Sequence, residues 1–236
     1  MTGPERTAEL AANLAEVRDR VARAAQAADR DAAEITLIVV TKFFPADDVR
    51  RLADLGVTDV GENRHQEAAQ KASDCADLPI RWHYIGGLQS NKAAAVAQYA
   101  DVVHTVDRLK LVGPLERGAQ AAGRGLDVLI QVSLDPPDIR GARNGAVPAE
   151  VGGLADAISA AQALRLRGVM AVAPLGADPV PAFAELAAIH AQLRAAHPEA
   201  TWCSAGMSGD LEAAIAAGAT HVRVGRAVLG SRPSVQ

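Results

Sequence analysis

The chain has 236 residues, is 49% hydrophobic and 22% charged, and carries a net charge of −4 with opposite signs interspersed. Its length suits one large α/β domain or two small ones, and the absence of a basic block argues against nucleic acid as a partner. No apolar run is long enough to span a bilayer, and the opening MTGPERTAEL has no apolar signal core, so no membrane role is expected and a cytoplasmic location is.

Residues 5–29 read as a helix, with Leu10, Leu14, Val17 and Val21 spaced along one face. The run ITLIVVTKFFP (35–45) follows. Its first six residues are apolar or β-branched, as in a strand buried on both faces, and Thr41 extends it. Lys42 stands where that strand leaves the core, and Pro45 favours the first turn of a helix. The helix PADDVRRLADL carries Val49, Leu52 and Leu55 on one face and stops at Gly56. The same scheme then repeats. Strands are expected at 57–62, 80–86, 101–107, 126–134, 164–172, 201–206 and 221–225, each followed by a helical segment. In the segment after the fourth strand, Gly113-Pro114 is expected to break or bend the helix. After the fifth strand a Pro/Gly/Arg-rich loop, DPPDIRGARNG, leads to a helix from about Pro148.

Eight strand–helix units at this chain length, with no composition break and no linker, fit a closed (β/α)8 barrel with an extra N-terminal helix. The whole of 1–236 reads as one such domain. An open doubly wound sheet is the alternative, disfavoured because no GxGxxG follows the first strand. Aromatic residues are 3% of the chain, so the core falls to Ala, Val, Leu and Ile. Cys75 and Cys203 lie far apart in distinct contexts and suggest a reducing compartment rather than a disulfide framework. The six histidines show no HExxH and no clustered ligand spacing, so no metal site is expected.

Active groups in such barrels gather at the carboxyl ends of the strands. That rule selects Lys42, Glu62 and Asn63, the run 86–92, Met170, Gly206 to Gly209, and Gly225-Arg226. Lys42 is one of only four lysines, with Lys71, Lys92 and Lys110. A strand-end lysine that loses hydration becomes a nucleophilic amine, although many such lysines simply reach to water. The loop at Gly206–Gly209 is expected to open a helix capped by Ser208, and together with Gly225-Arg226 it offers free amides for an anion. Asp210 would repel a phosphate there unless it faces away. In HVRVG, Val222 and Val224 share one face, so Arg223 points into the barrel and requires an acceptor, which is either an internal partner or a ligand atom. His83 and Tyr84 are read as core residues, and Gln89, Ser90 and Asn91 as a helix start. An amine, an anion cradle and an inward cation at one barrel mouth suit a phosphorylated carbonyl compound held as a Schiff base: a sugar phosphate or pyridoxal 5′-phosphate (PLP).

The ordered motifs VTKFFP, GENRHQE, WHYIGGLQSNK, HTVDR, LRLRGVMAV, GMSGDLEAAIAAG and VRVGRAVLG closely resemble the pyridoxal-phosphate homeostasis protein family (YggS/PROSC). The resemblance implies a barrel like the N-terminal domain of alanine racemase, of the fold type III PLP-binding class. It implies PLP as cofactor, Lys42 as the Schiff-base lysine, Asn63 beside the cofactor, Ser208, Gly225 and Arg226 at its phosphate, and Arg223 facing the pyridine nitrogen. Three positions depart from the family pattern: Phe43 replaces a small polar residue, Gly87 stands where proline is frequent, and Arg226 where threonine is usual.

Two readings of function follow, a non-catalytic carrier that buffers and delivers PLP and a PLP-dependent amino-acid racemase. A two-base racemase needs an acid–base group on each face of the cofactor, and takes the second, a tyrosine, from another subunit. Tyr84 and Tyr99 are the only tyrosines, and the chain ends eleven residues after Gly225, with no additional β domain expected. The carrier is therefore favoured, as a monomer, with apo PLP-dependent enzymes as candidate partners.

Overall fold

Each β-branched run of the sequence becomes a parallel strand, and each Ala-rich amphipathic segment a helix laid over it. The computed structural model describes residues 3–136 and 144–231. The strands are β1 (Thr36–Val40), β2 (Asp59–Glu62), β3 (Arg81–Tyr84), β4 (Val102–Val106), β5 (Leu126–Gln131), β6 (Leu164–Met170), β7 (Trp202–Ser204) and β8 (His221–Val224). They pair in chain order, and β8 returns to β1 with Thr36 opposite His221 and Val39 opposite Val224, which closes the barrel. Among the described residues the helices are α1 (Gly3–Ala27), α2 (Ala46–Asp54), α3 (His65–Asp74), α4 (Ser90–Val96), α5 (Val112–Ala121), α6 (Val151–Ser159), α7 (Pro179–Ala196), α8 (Leu211–Ala216) and α9 (Arg226–Leu229). The barrel reading holds, and the open sheet does not. Most of the loop DPPDIRGARNG, residues 137–143, lies outside the described residues. No helix among the described residues is long and apolar enough to cross a membrane.

Two local expectations fail for the same reason, the position of a helix start. Pro114 does not break α5. A short 3-10 turn at Leu109–Leu111 precedes it, and α5 begins at Val112, which puts Pro114 in its first turn. Amides there have no intrahelical acceptor, so proline removes no bond. Ser208 does not cap α8. That helix begins at Leu211 with Asp210 at its N-cap position, and Ser208 lies in the preceding turn.

Outward-facing strand residues and helix faces form two large apolar clusters, and a small one, Val102, Leu129 and Met170, fills part of the barrel interior. In the second large cluster α1 lays Leu10, Leu14, Val17 and Val21 against Val222 and Val224 of β8 and Leu211 of α8. Burying such a leucine contributes about 1.5–3 kcal/mol. Polar side chains of α1 do a second job. α8 and α9 span six and four residues, too short to hold themselves. Arg30 donates to the carbonyls of Ile215 and Ala219, Asn13 to Val228 and Arg6 to Leu229. The last carbonyls of α9 are thereby satisfied from α1, and those at the end of α8 from Arg30, just beyond α1.

Candidate functional site

At the carboxyl end of the barrel a cavity of about 940 Å³ opens between the loops after β1, β6, β7 and β8. Lys42, Ser208, Gly209, Arg223, Gly225 and Arg226 line it, so five of the six site residues read from the sequence meet at this one cavity. Asn63 does not. It sits at the end of β2 outside that lining, half-buried, with its Oδ1 buried and unpartnered. Its backbone is pressed against Gly86, where an added Cβ would stand 2.1 Å from the Asn63 carbonyl oxygen.

Lys42 leaves β1 on a turn whose next residue, Phe43, has φ of 71°. This left-handed conformation is costly for a bulky side chain. The turn is held from α3. The Phe43 amide donates to Glu67 Oε1 at 2.5 Å, and the same oxygen accepts from Lys71 Nζ at 2.8 Å. Lys71 is itself buried, and it also donates to Glu62 Oε1 and to the Thr41 carbonyl, each at 2.7 Å. Burial raises the Glu62 carboxyl above its usual range despite the adjacent ammonium. Thr41 Oγ1 donates to the same Glu62 oxygen. Residues on both sides of Lys42 are therefore tied to one buried acid–base cluster. Phe43, the unusual residue of the motif, places its ring under two cations, Arg64 at 4.7 Å and Lys42 at 5.9 Å. Cation–π attraction at such distances favours that arrangement.

Arg223 points inward as its strand parity requires. Val222 and Val224 face the helices, and the Arg223 side chain is 4% exposed. Its acceptors are neutral: Ser204 Oγ at 2.7 Å and the Ala171 carbonyl at 2.8 Å. Burial pushes its pKa down to about 10, which leaves it cationic near neutrality. No carboxylate neutralises it by direct contact among the described residues, and its charge faces the cavity. Across from it, the turn at Ser208–Asp210 presents amides. Asp210 turns its Oδ1 to the Met207 amide at 2.6 Å, which engages part of the carboxylate with its own loop. Arg20 of α1 holds the Ser208 carbonyl at 3.1 Å, so the opposite side of that peptide is turned to the cavity. A Cβ on Gly209 would meet only open space. Arg226 is exposed at the first position of α9, whose amides there lack intrahelical partners. At Gly87 the room a proline ring would occupy is taken by Asn144, whose Nδ2 would lie 2.2 Å from a Cβ there.

Neither tyrosine lines this cavity. Tyr84 is buried in the large helix–strand cluster, and Tyr99 stacks on His65. Among the described residues no group of three or more His, Cys, Asp or Glu side chains could hold a metal ion. The sequence reading passed over Lys71 and Glu67. Their i,i+4 spacing on α3 signals a pair, but nothing in the sequence says that both reach back to the Lys42 turn. It also passed over His104 and Ser204, whose strand parity matches that of His83 and Arg223.

A closed parallel barrel with a lysine after β1, an inward arginine on β8 and loop amides at the same cavity defines a (β/α)8 barrel whose mouth could accept an anionic ligand. The chain matches the family model described as "Alanine racemase, N-terminal domain" over residues 10–233, and it belongs to that family. A Mycobacterium leprae (strain TN) protein named pyridoxal phosphate homeostasis protein is 42% identical, covering 96% of this chain and 94% of that protein. PipY of Synechococcus elongatus PCC7942, solved with PLP bound, is 34% identical with a TM-score of 0.81, over 94% of this chain and 100% of that one. An alanine racemase of Clostridium difficile 630 shares the fold at a TM-score of 0.74 and 13% identity; the chain spans 57% of its length.

Proposed function

We propose that this protein binds PLP as a Schiff base on Lys42 and serves intracellular PLP homeostasis, holding and releasing the cofactor without turning over amino acids. The observation that carries this reading is the convergence of an amine, an inward guanidinium and loop amides on one cavity. The residues fit the cofactor in detail. Ser208, Gly209, Gly225 and Arg226 would hold its phosphate, Arg223 would donate to its ring nitrogen, and Lys42 would take its aldehyde. Asn63, whose Oδ1 is buried and unpartnered, lies outside the cavity lining, and its place beside the cofactor rests on the family resemblance. When bound, PLP supplies an electron sink and a reversible imine. A guanidinium at the ring nitrogen would keep that nitrogen unprotonated and weaken the sink, as in the racemase fold type, so this feature is common to both readings.

The carrier reading is supported further by what faces Lys42. Among the described residues the cavity lining holds no histidine or tyrosine, and Asp210 is engaged by the Met207 amide. A positioned second base typically contributes ~10²–10⁴-fold. The protein is read as a single-domain, monomeric cytoplasmic carrier that passes PLP to apo-enzymes. The direct test is borohydride reduction of the PLP-loaded protein followed by peptide mapping. The label is expected on the peptide that contains Lys42. Label on Lys71, Lys92 or Lys110 instead would refute the assignment.

A further inference from the structure

The barrel interior contains a continuous buried chain of polar groups that the proposed function does not use. Asp59 Oδ1 lies 2.8 Å from His83 Nε2, and His83 Nδ1 lies 2.9 Å from His104 Nε2. His104 Nδ1 lies 3.0 Å from Ser204 Oγ, which accepts from Arg223 Nη1 at 2.7 Å. The chain starts on β2, passes through β3, β4 and β7, and ends at the cavity wall on β8. Asp59, His83, His104, Ser204 and Arg223 are all buried.

The two ends fix the direction of every bond between them. Arg223 can only donate, and ionised Asp59 can only accept. Four links need four hydrogens, and Arg223, Ser204 and two neutral imidazoles supply one each. Arg223 donates to Ser204, Ser204 to His104 Nδ1, His104 Nε2–H to His83 Nδ1, and His83 Nε2–H to Asp59. Both histidines are then Nε2–H tautomers. Burial lowers the pKa of both imidazoles, that of His104 well below its usual value. Burial would raise Asp59, but hydrogen bonds from His83 and Thr58 outweigh it and hold the carboxyl below its usual range. The surrounding charged or titratable groups are Arg81 and Asp101 near His83, His221 beside His104, and Asp210 and Cys203 near Arg223.

We propose that Asp59, His83, His104 and Ser204 form a one-directional hydrogen-bond chain that positions Arg223, so that its guanidinium presents a fixed N–H donor to a ring-nitrogen acceptor in the cavity. These four are positioning residues, since none of them reaches the cavity lining. The proposal extends the carrier reading and rests on it for the identity of the ligand. It has a physical consequence of its own: the negative end of the chain is a carboxylate remote from the mouth, so Arg223 is oriented without being neutralised where it meets its ligand.

Two measurements test it. In the first, nitrogen-15 NMR of the ligand-free protein reads the imidazole tautomers. His83 and His104 are expected as neutral Nε2–H rings at about pH 8, above the range in which a free histidine titrates. An Nδ1–H tautomer at either residue would overturn the proposal. In the second, affinities are measured for PLP and for its 1-deaza analogue, in which the ring nitrogen is replaced by C–H. The unaltered protein is expected to prefer PLP by about tenfold or more, the worth of a charge-assisted hydrogen bond. Ser204→Ala and His104→Phe each remove one member and the two links it makes, and are expected to bring that preference toward unity, with circular dichroism confirming the fold. A merely structural role would weaken both ligands equally, and an unchanged preference in a folded variant overturns the proposal. If the unaltered protein binds neither ligand, the carrier reading fails and the NMR measurement alone decides the chain.

Discussion

At the scale of single residues, burial decides which ionisable groups are functional and which are structural. The His221 ring packs at a tilt against Trp202, and burial pushes its pKa down to about 3. In the unfolded chain it titrates near 6.5. Between those values the unfolded state binds a proton that the folded state does not, so stability is fully present above about pH 6.5 and is lost as pH falls. The slope is about 1.4 kcal/mol per pH unit for one such histidine, and His83 and His104 are displaced in the same direction. Thermal unfolding is expected to give a Tm that rises from pH 5 to 7 and then levels off. A Tm that is flat across that interval would contradict the buried neutral imidazoles. Ser208 is a different case, because it lines the cavity without capping its helix and is proposed to hold the phosphate. Replacing it by alanine is expected to leave the unfolding free energy within about 0.5 kcal/mol of the parent, since no cap is lost, and to weaken PLP more than pyridoxal, which lacks the phosphate. Equal weakening of both would place Ser208 away from the phosphate. Arg226→Thr is expected to bring only a modest loss of PLP affinity, because an exposed charged contact is screened.

At the scale of elements, the site is held by helices that never touch the ligand. α3 reaches back through Glu67 and Lys71 to a turn with an unfavourable backbone at Phe43. Lys71→Met would leave Glu62 and Glu67 facing each other without the ammonium that bridges them. Breaking a buried pair by removing one partner costs about 3–5 kcal/mol. A large fall in Tm and slower Schiff-base formation, followed by absorbance after adding PLP, are the expected outcomes; a fully stable variant would show that the cluster is dispensable. α1 acts the same way on the other side of the mouth. Asn13→Ala removes the donor to Val228 and Arg20→Ala the donor to Ser208. Both are expected to speed amide hydrogen exchange in 207–210 or 225–230 before they change global stability.

At the scale of the whole molecule, the open mouth and the single base set the expected behaviour. On the proposed reading, Lys42 is the one base at the cavity and acts on a single face of the bound ligand. The PLP-loaded protein is therefore expected to restore the activity of an apo PLP-dependent enzyme in the presence of a phosphatase that destroys free cofactor. It is also expected to leave D- and L-alanine uninterconverted in chiral chromatography. Turnover on the order of 1–10³ s⁻¹ would favour the racemase reading, and no transfer to any apo-enzyme would leave storage alone.

The alternation of β-branched runs with Ala-rich helices, read against chain length, determined the barrel, because each signal is local and repeats eight times in the observed order. It also determined the direction of Arg223, since strand parity fixes which side chains point inward once Val222 and Val224 are assigned outward. Lys42 and the loops after β7 and β8 were legible by the same logic, from where each strand ends. Other features lay in contacts between residues far apart in the chain. Helix starts moved by three or four residues, so Ser208 lost its cap and Pro114 its kink, because propensity leaves the first turn undetermined and packing sets it. The grip of Lys71 on the Lys42 turn spans about 30 positions, and the bond from His104 to Ser204 spans 100. No periodicity encodes such pairings. Only closure of the sheet brings β4 opposite β7 and surrounds a carboxylate, two imidazoles, a hydroxyl and a guanidinium with enough apolar side chain that each must take the next as its partner.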